Sequence, residues 1–277
     1  MMLHSANPAQ SLTVFVDGIG LLGPGLSNWV QGRQHLDGSL PYQAGLCILP
    51  LPMALPPAER RRAGAVVKVS LAVAQEAVAA SGLKASALPS VFSSSGGDGI
   101  NCHEICRTLA SSDRLISPTR FHNSVHNAAS GYWSISTGAM CSSSVLCAYD
   151  GSFAAGLLEA MTQAVVEDTA VLLVAYDTDY PEPLHSKRPV SDTLGVALVL
   201  SPRLSARSVA RITLQGTSFL TSAAADTMIE AALELLRQAI PAARALPLLQ
   251  AIARKQATPL VLAYLDDMQL AVEVAPC

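Results

Sequence analysis

The sequence predicts a layered α/β fold around a largely buried sheet, and three observations carry that expectation. Segments that read as strands alternate with helical segments of ten or more residues, the rhythm of strand–helix–strand crossovers. Two strand segments, Ala170–Ala175 and Leu194–Leu200, are continuous apolar runs, as expected of strands covered on both faces. Aromatics make up only 5% of the residues while Ala, Leu, Val and Ser dominate, so helices would approach the sheet closely through small side chains.

The elements follow in order. Leu12–Gly20 is a β-run that ends at glycines and enters the turn Leu21–Gly25. Asn28–Gly32 reads as a short helix and Leu36–Pro57 as a Pro-rich loop. From Pro57 to Gly82, the residues Ala63, Val66, Val67, Leu71, Ala74, Ala77 and Val78 recur at helical spacing, with proline near the start and glycine after the end. Pro89–Ser95 is a short strand closed by the turn Gly96-Gly97-Asp98-Gly99. Asn101–Ser111 is helical, and Phe121–Gly138 reads as one helix with a kink at Gly131. Ser142–Leu146 is β-like and Ser152–Glu167 is a small-residue helix feeding the strand Ala170–Ala175. After Leu194–Leu200 come the strand Val209–Phe219, the helices Thr227–Ile240 and Ala242–Gln256, and the closing strands Leu260–Leu265 and Leu270–Val274. No low-complexity linker interrupts them, which predicts one continuous domain: residues 12–205, and a reduced portion, 206–277, packed on the same core.

Charge and composition exclude several function classes. The net charge is −3 and the basic residues are scattered apart from Glu59-Arg60-Arg61-Arg62, whereas a nucleic-acid binder concentrates them in a patch. No run of apolar residues is long enough for a transmembrane helix, and Met1–Gln10 lacks the basic and apolar regions of a signal peptide. The expectation is a cytoplasmic protein without membrane insertion, whose six cysteines are reduced structural thiols. Cys102 and Cys106, like His122 and His126, are spaced to share a helix face. Neither pair has the further ligands a metal needs, so no metal and no cofactor is expected.

One stretch is specific. Ser117-Pro118, Asn127-Ala-Ala-Ser-Gly131, Ser134-Ile135 and Gly138 resemble the Ser-Pro, Asn-x-x-x-Gly, Ser-Ile and Gly pattern of the β-ketoacyl synthases. Phe15–Gly20, Gly32-Arg33, Ala72–Leu83 and Ser191–Leu200 resemble further segments of that family, in the correct order. The resemblance implies a thiolase-like layered α-β-α-β-α fold with a truncated C-terminal half. It also implies a nucleophile elbow at a strand-to-helix junction, where the family carries a cysteine made acidic by the helix N-terminus. Counting nineteen positions from Gly131 places Asp150 at the cysteine position, with Ser152 matching the elbow serine. At a helix start an aspartate fits an N-cap better than a nucleophile, since its acyl product would be a mixed anhydride. Cys147 falls on the strand before the elbow and reads as buried and inert. The family's two catalytic histidines lie in its C-terminal half; the last histidine here is His185.

The resemblance therefore implies no catalytic residue in this chain, and a role like that of the chain-length factors that pair with active ketosynthases, as in aryl polyene biosynthesis. The implied partners are a catalytic ketosynthase subunit, forming a heterodimer, and an acyl carrier protein bearing a phosphopantetheine-linked acyl chain. Ketosynthase dimers pair edge strands, which would place Arg120, Phe121, Val125, His126, Tyr132, Trp133, Ser143 and Val145 at the contact or acyl tunnel, with the aromatic and branched residues as anchors. Two alternatives stay open: an acyltransferase or thioesterase using Cys147 or Ser152, and a homodimeric scaffold binding acyl carrier protein through Arg60–Arg62 or Lys187-Arg188.

Overall fold

The computed structural model describes residues 11–214 and 220–277. Its strands are β1 (Leu12–Leu22), β2 (Ser90–Ser93), β3 (Ser143–Leu146), β4 (Val171–Asp177), β5 (Leu194–Ser201), β6 (Ala210–Leu214), β7 (Leu220–Thr221), β8 (Thr258–Leu262) and β9 (Gln269–Pro276). Its helices are α1 (Trp29–Leu36), α2 (Pro57–Arg62), α3 (Ala65–Ser81), α4 (Gly99–Ala110), α5 (Pro118–His122), α6 (Ala128–Thr137), α7 (Ser152–Val166), α8 (Ala231–Ala239) and α9 (Leu246–Arg254).

The strands form one mixed sheet in the order β3-β2-β4-β5-β1-β6-β9-β7, with β8 also on β9. Only β3, β2 and β4 run parallel, each needing a helical crossover. Every residue of β4 and β5 is buried, because helices cover both faces. One core, with Phe92, Tyr132, Trp133 and Tyr176, lies under α3 and α6; the other, with Phe153, Leu157, Met161 and Leu248, lies under α7 and α9. α3 rests directly on β1: a Cβ at Gly18 or Gly20 would fall 2.0 Å from the carbonyl oxygens of Ala77 and Val73, so no side chain fits there. β1 continues through β6 into the C-terminal strands without a break.

Two local expectations need correction, and part of a third lies outside the described residues. The segment Pro57–Gly82 is two helices, because Ala63 and Gly64 are extended. The segment Phe121–Gly138 is not one helix kinked at Gly131: α5 stops at His122, and α6 begins at Ala128 and carries Gly131 in its interior. Asn123 explains the break. It is buried, its Nδ2 donates to the last carbonyl of α2 at Arg62 (3.1 Å), and its Oδ1 accepts from Tyr132 OH (3.1 Å), so the chain turns to seat it. The strand from Val209 ends its described part at Leu214, and its final residues 215–219 lie outside the described residues.

Candidate functional site

β3 ends at Leu146 and a tight 3-10 turn, Tyr149–Gly151, delivers the chain into α7. Tyr149 has φ 51°, a left-handed conformation that costs a bulky residue about 1–3 kcal/mol and is kept only where the surroundings enforce it. They do. Ser152 Oγ is buried, accepts from Ala148 N (3.0 Å) and has the carbonyls of Tyr149 (2.7 Å) and Ser94 (3.1 Å) as acceptors for its proton. A Cβ on Gly151 would lie 1.8 Å from the carbonyl oxygen of Tyr264, so the connection between β8 and β9 sits directly on the elbow.

Asp150 points away from the helix it was expected to cap; α7 starts without a side-chain cap. Its Oδ1 accepts from Arg188 (2.7 Å) and its Oδ2 from Arg244 (2.7 Å). Arg188 comes from the β4–β5 connection and stacks its guanidinium 3.5 Å over the Tyr149 ring. Arg244 comes from the 3-10 turn Pro241–Ala245 that leads into α9. Two charge-assisted bonds therefore hold both carboxylate oxygens, which overrides capping as the residue's role and weakens the carboxylate as an attacking group.

A buried carboxylate wires the second arginine in place. Asp177, at the end of β4, accepts from Ser95 N (2.9 Å), Ser95 Oγ (2.6 Å) and Ala242 N (2.8 Å), fixing the turn that carries Arg244. Burial pushes its pKa from 3.8 up to about 6, against the pull of those donors and of Arg188. In front of the elbow lies a cleft of about 1090 Å³, lined by Tyr149, Asp150, Arg244, Tyr264 and Asp267 among others.

The remaining expected residues divide. Phe121 (68% exposed) and Val125 (53%) are open to solvent, and Ser143 is exposed on β3, the edge strand of the sheet. Val145 is half-buried, His126 is exposed, and Arg120 pairs with Glu104 (3.4 Å). Tyr132 and Trp133 are 2% and 1% exposed in this chain's own core and correct the expectation that they offer open contact area: they face α3, not outward. His122 and His126 do not share a helix face, since one ends α5 and the other precedes α6. Cys147 is exposed, not buried, because β3 stops one residue before it; its Sγ donates to Ser95 O (2.9 Å). Among the described residues no three His, Cys, Asp or Glu side chains are placed to hold a metal, and no helix is long and apolar enough to cross a membrane.

Sequence reasoning missed Arg244 and Asp177. The signal for Arg244 was there: it is the single charge in the otherwise apolar stretch Ile240–Leu249, where an unpaired cation would be costly.

Comparison with known proteins gives the frame its relatives. No curated protein matches the chain by sequence. A chain of the ketosynthase (ApeO) in complex with its chain length factor (ApeC) from Xenorhabdus doucetiae superimposes with a TM-score of 0.67 at 22% identity, over 94% of this chain and 99% of that one. The ishigamide ketosynthase/chain length factor gives 0.70 at 11% identity, over 95% and 99%. The AntDE:AntF complex, a type II polyketide acyl carrier protein with its ketosynthase, gives 0.72 at 11% identity, over 98% and 100%. These likenesses establish the thiolase-like ketosynthase fold. The matches take in nearly all of each chain. The family model for the beta-ketoacyl synthase N-terminal domain matches residues 29–258, most of the sequence, and the chain belongs to that family.

Proposed function

We propose that this chain is a non-catalytic, chain-length-factor-type subunit that pairs with an active β-ketoacyl-[acyl-carrier-protein] synthase. The pair is a cytoplasmic heterodimer that elongates polyketide chains of the aryl polyene kind, carried on the phosphopantetheine of acyl carrier protein. The observation that carries this reading is the double arginine lock on Asp150: the place of the family's nucleophile holds a carboxylate with both oxygens engaged. Support comes from the lack of any histidine after His185 and from the relatives being chains of ketosynthase complexes. The open edge of β3, with Ser143 and Val145 on it, together with Arg120, Phe121, Val125 and His126 of α5 and the connection to α6, is the proposed contact.

Co-expression with an active aryl polyene ketosynthase tests it. A stable complex should form, and an acyl-pantetheine probe should label the ketosynthase alone. A stable monomer that leaves the product profile unchanged would sink the idea, and so would a labelled Asp150 chain. The exposure of Cys147 beside the elbow favours one second reading, acyl transfer through that thiol. It predicts a label that Cys147→Ser abolishes. Ser152 is a poorer candidate, because its hydroxyl is buried and engaged.

A further inference from the structure

A second region is built in the opposite way from the elbow. Between Asp37 and Glu59 no residue carries a charge, and the stretch contains Leu40, Leu46, Ile48, Leu49, Leu51, Met53 and Leu55 together with seven prolines and glycines that keep it out of regular structure. Cys47 and Leu49 pack inward against the core beneath α3, which turns their neighbours outward. Leu46 is 85% exposed, Ile48 83%, Leu51 68% and Met53 64%. Four large apolar side chains on one strap exceed the scattered single exposures normal for a soluble surface.

The end of the strap is held to a basic helix. Arg60 donates to the carbonyls of Met53 and Leu55, both at 3.0 Å. Arg61 is exposed and forms no ion pair among the described residues, Arg62 is half-exposed beside Glu59, and Lys68 lines the groove of about 850 Å³ between the strap and α3. The acidic groups nearby are Glu59, Glu76 and Asp192. Glu59 pairs with Arg62, and Asp192 accepts from Cys47 N (3.2 Å). Glu76 is turned inward, accepting from the backbone of Leu21 (3.0 Å) and Trp29 (2.7 Å). Cations thus rim the outer face.

We propose that the strap 38–58 and the arginines of α2 form a docking surface for an anionic lipid membrane, with Leu46, Ile48, Leu51 and Met53 entering the headgroup–acyl boundary and Arg61 and Arg62 meeting lipid phosphates. A protein contact of this size would ordinarily present aromatic anchors and polar groups matched to a partner. This strap presents protruding aliphatic chains, no exposed aromatic and no charge, with cations only at its margin. That is the pattern of a surface that lies on a membrane. It differs from a spanning segment, and no helix here is long and apolar enough to cross a bilayer among the described residues. The strap and the proposed partner contact use different residues, and the two surfaces adjoin where Asn123, between Phe121 and Val125, donates to the Arg62 carbonyl (3.1 Å), so vesicle binding and complex formation are read separately.

Vesicle flotation tests it, on the full chain alone and in complex with its ketosynthase. Vesicles of phosphatidylcholine alone are compared with vesicles of roughly three parts phosphatidylcholine to one part phosphatidylglycerol. The chain should float with the anionic vesicles, less so at high salt. The variant Leu46→Ser/Ile48→Ser/Leu51→Ser should lose about tenfold or more in vesicle partitioning. Arg61→Glu should weaken binding and flatten its salt dependence. Absence of flotation for the unaltered chain overturns the proposal, as does equal flotation of the triple variant. Loss of the ketosynthase partner on the triple substitution, without any vesicle binding by the unaltered chain, would reassign the strap to a subunit contact. A complex that forms normally but never floats would leave the pairing reading standing and this one refuted.

Discussion

The elbow and the strap each contain what a folded surface ordinarily avoids, and the chain treats them differently. The elbow sets a carboxylate in a partly buried turn, and the strap sets aliphatic side chains in water. At the elbow both carboxylate oxygens are met from within: two guanidiniums, a stacked tyrosine ring, a serine and a carbonyl from the far end of the sequence converge on four residues, although the Nε atoms of Arg188 and Arg244 are buried without a partner. At the strap nothing among the described residues covers Leu46 or Ile48. A strained position held by its own chain needs no partner to keep its shape. A strap of exposed aliphatic chains is where a partner surface would make a difference.

Substitutions can break or sharpen that contrast. Gly151→Ala should have the largest effect, since its Cβ would meet the Tyr264 carbonyl at 1.8 Å and the β8–β9 connection would have to move. A loss of about 3 kcal/mol in denaturant unfolding is expected, and a neutral result would mean that the elbow is looser than its contacts imply. Asp177 gives the next effect, read as pH dependence. Its native pKa is raised from 3.8 to about 6, so between those values the folded chain holds a proton that the unfolded chain has lost. Stability from this group is therefore full below about pH 4 and falls as pH rises to about 6, by roughly 3 kcal/mol. Asp177→Asn should remove that slope from the unfolding curves.

Arg244→Ala should cost roughly 1.5 kcal/mol, less than for a fully buried pair because Asp150 and Arg244 keep partial solvent contact. Combined with Asp150→Ala, the losses should be less than additive in a double-mutant cycle. Ser replacements at Leu46 and Ile48 close the series: unfolding should shift by less than about 0.5 kcal/mol, although these residues are among the most apolar on the surface. A large loss there would mean the strap is core and not interface.

Much of the fold was legible, for physical reasons that differ by element. β4 and β5 announced themselves because strands buried on both faces must be apolar throughout. The elbow frame was legible as an ordered pattern of glycines, serines and Ser-Pro, and the turn around Asp150 falls where the spacing places it. What Asp150 does there was not legible, because its partners lie 38 and 94 residues away. The sides of α5 and α6 were equally hidden. Phe121 and Tyr132 look alike as aromatic residues in one periodic stretch, but a single buried asparagine breaks the helix and sends one outward and the other inward.

The position of β1 has a consequence for how the chain is made. The strand β1 lies in the middle of the sheet but is made well before its partners on either side, residues 195–201 and 210–214. At ordinary synthesis rates of about 5–20 residues per second, β1 waits roughly ten to forty seconds for its neighbours. Through that interval an apolar strand with two open edges must be kept from pairing with its own copies. The chain's yield in a cell should therefore depend on chaperone supply and on translation speed across residues 23–193, well before any partner subunit is met.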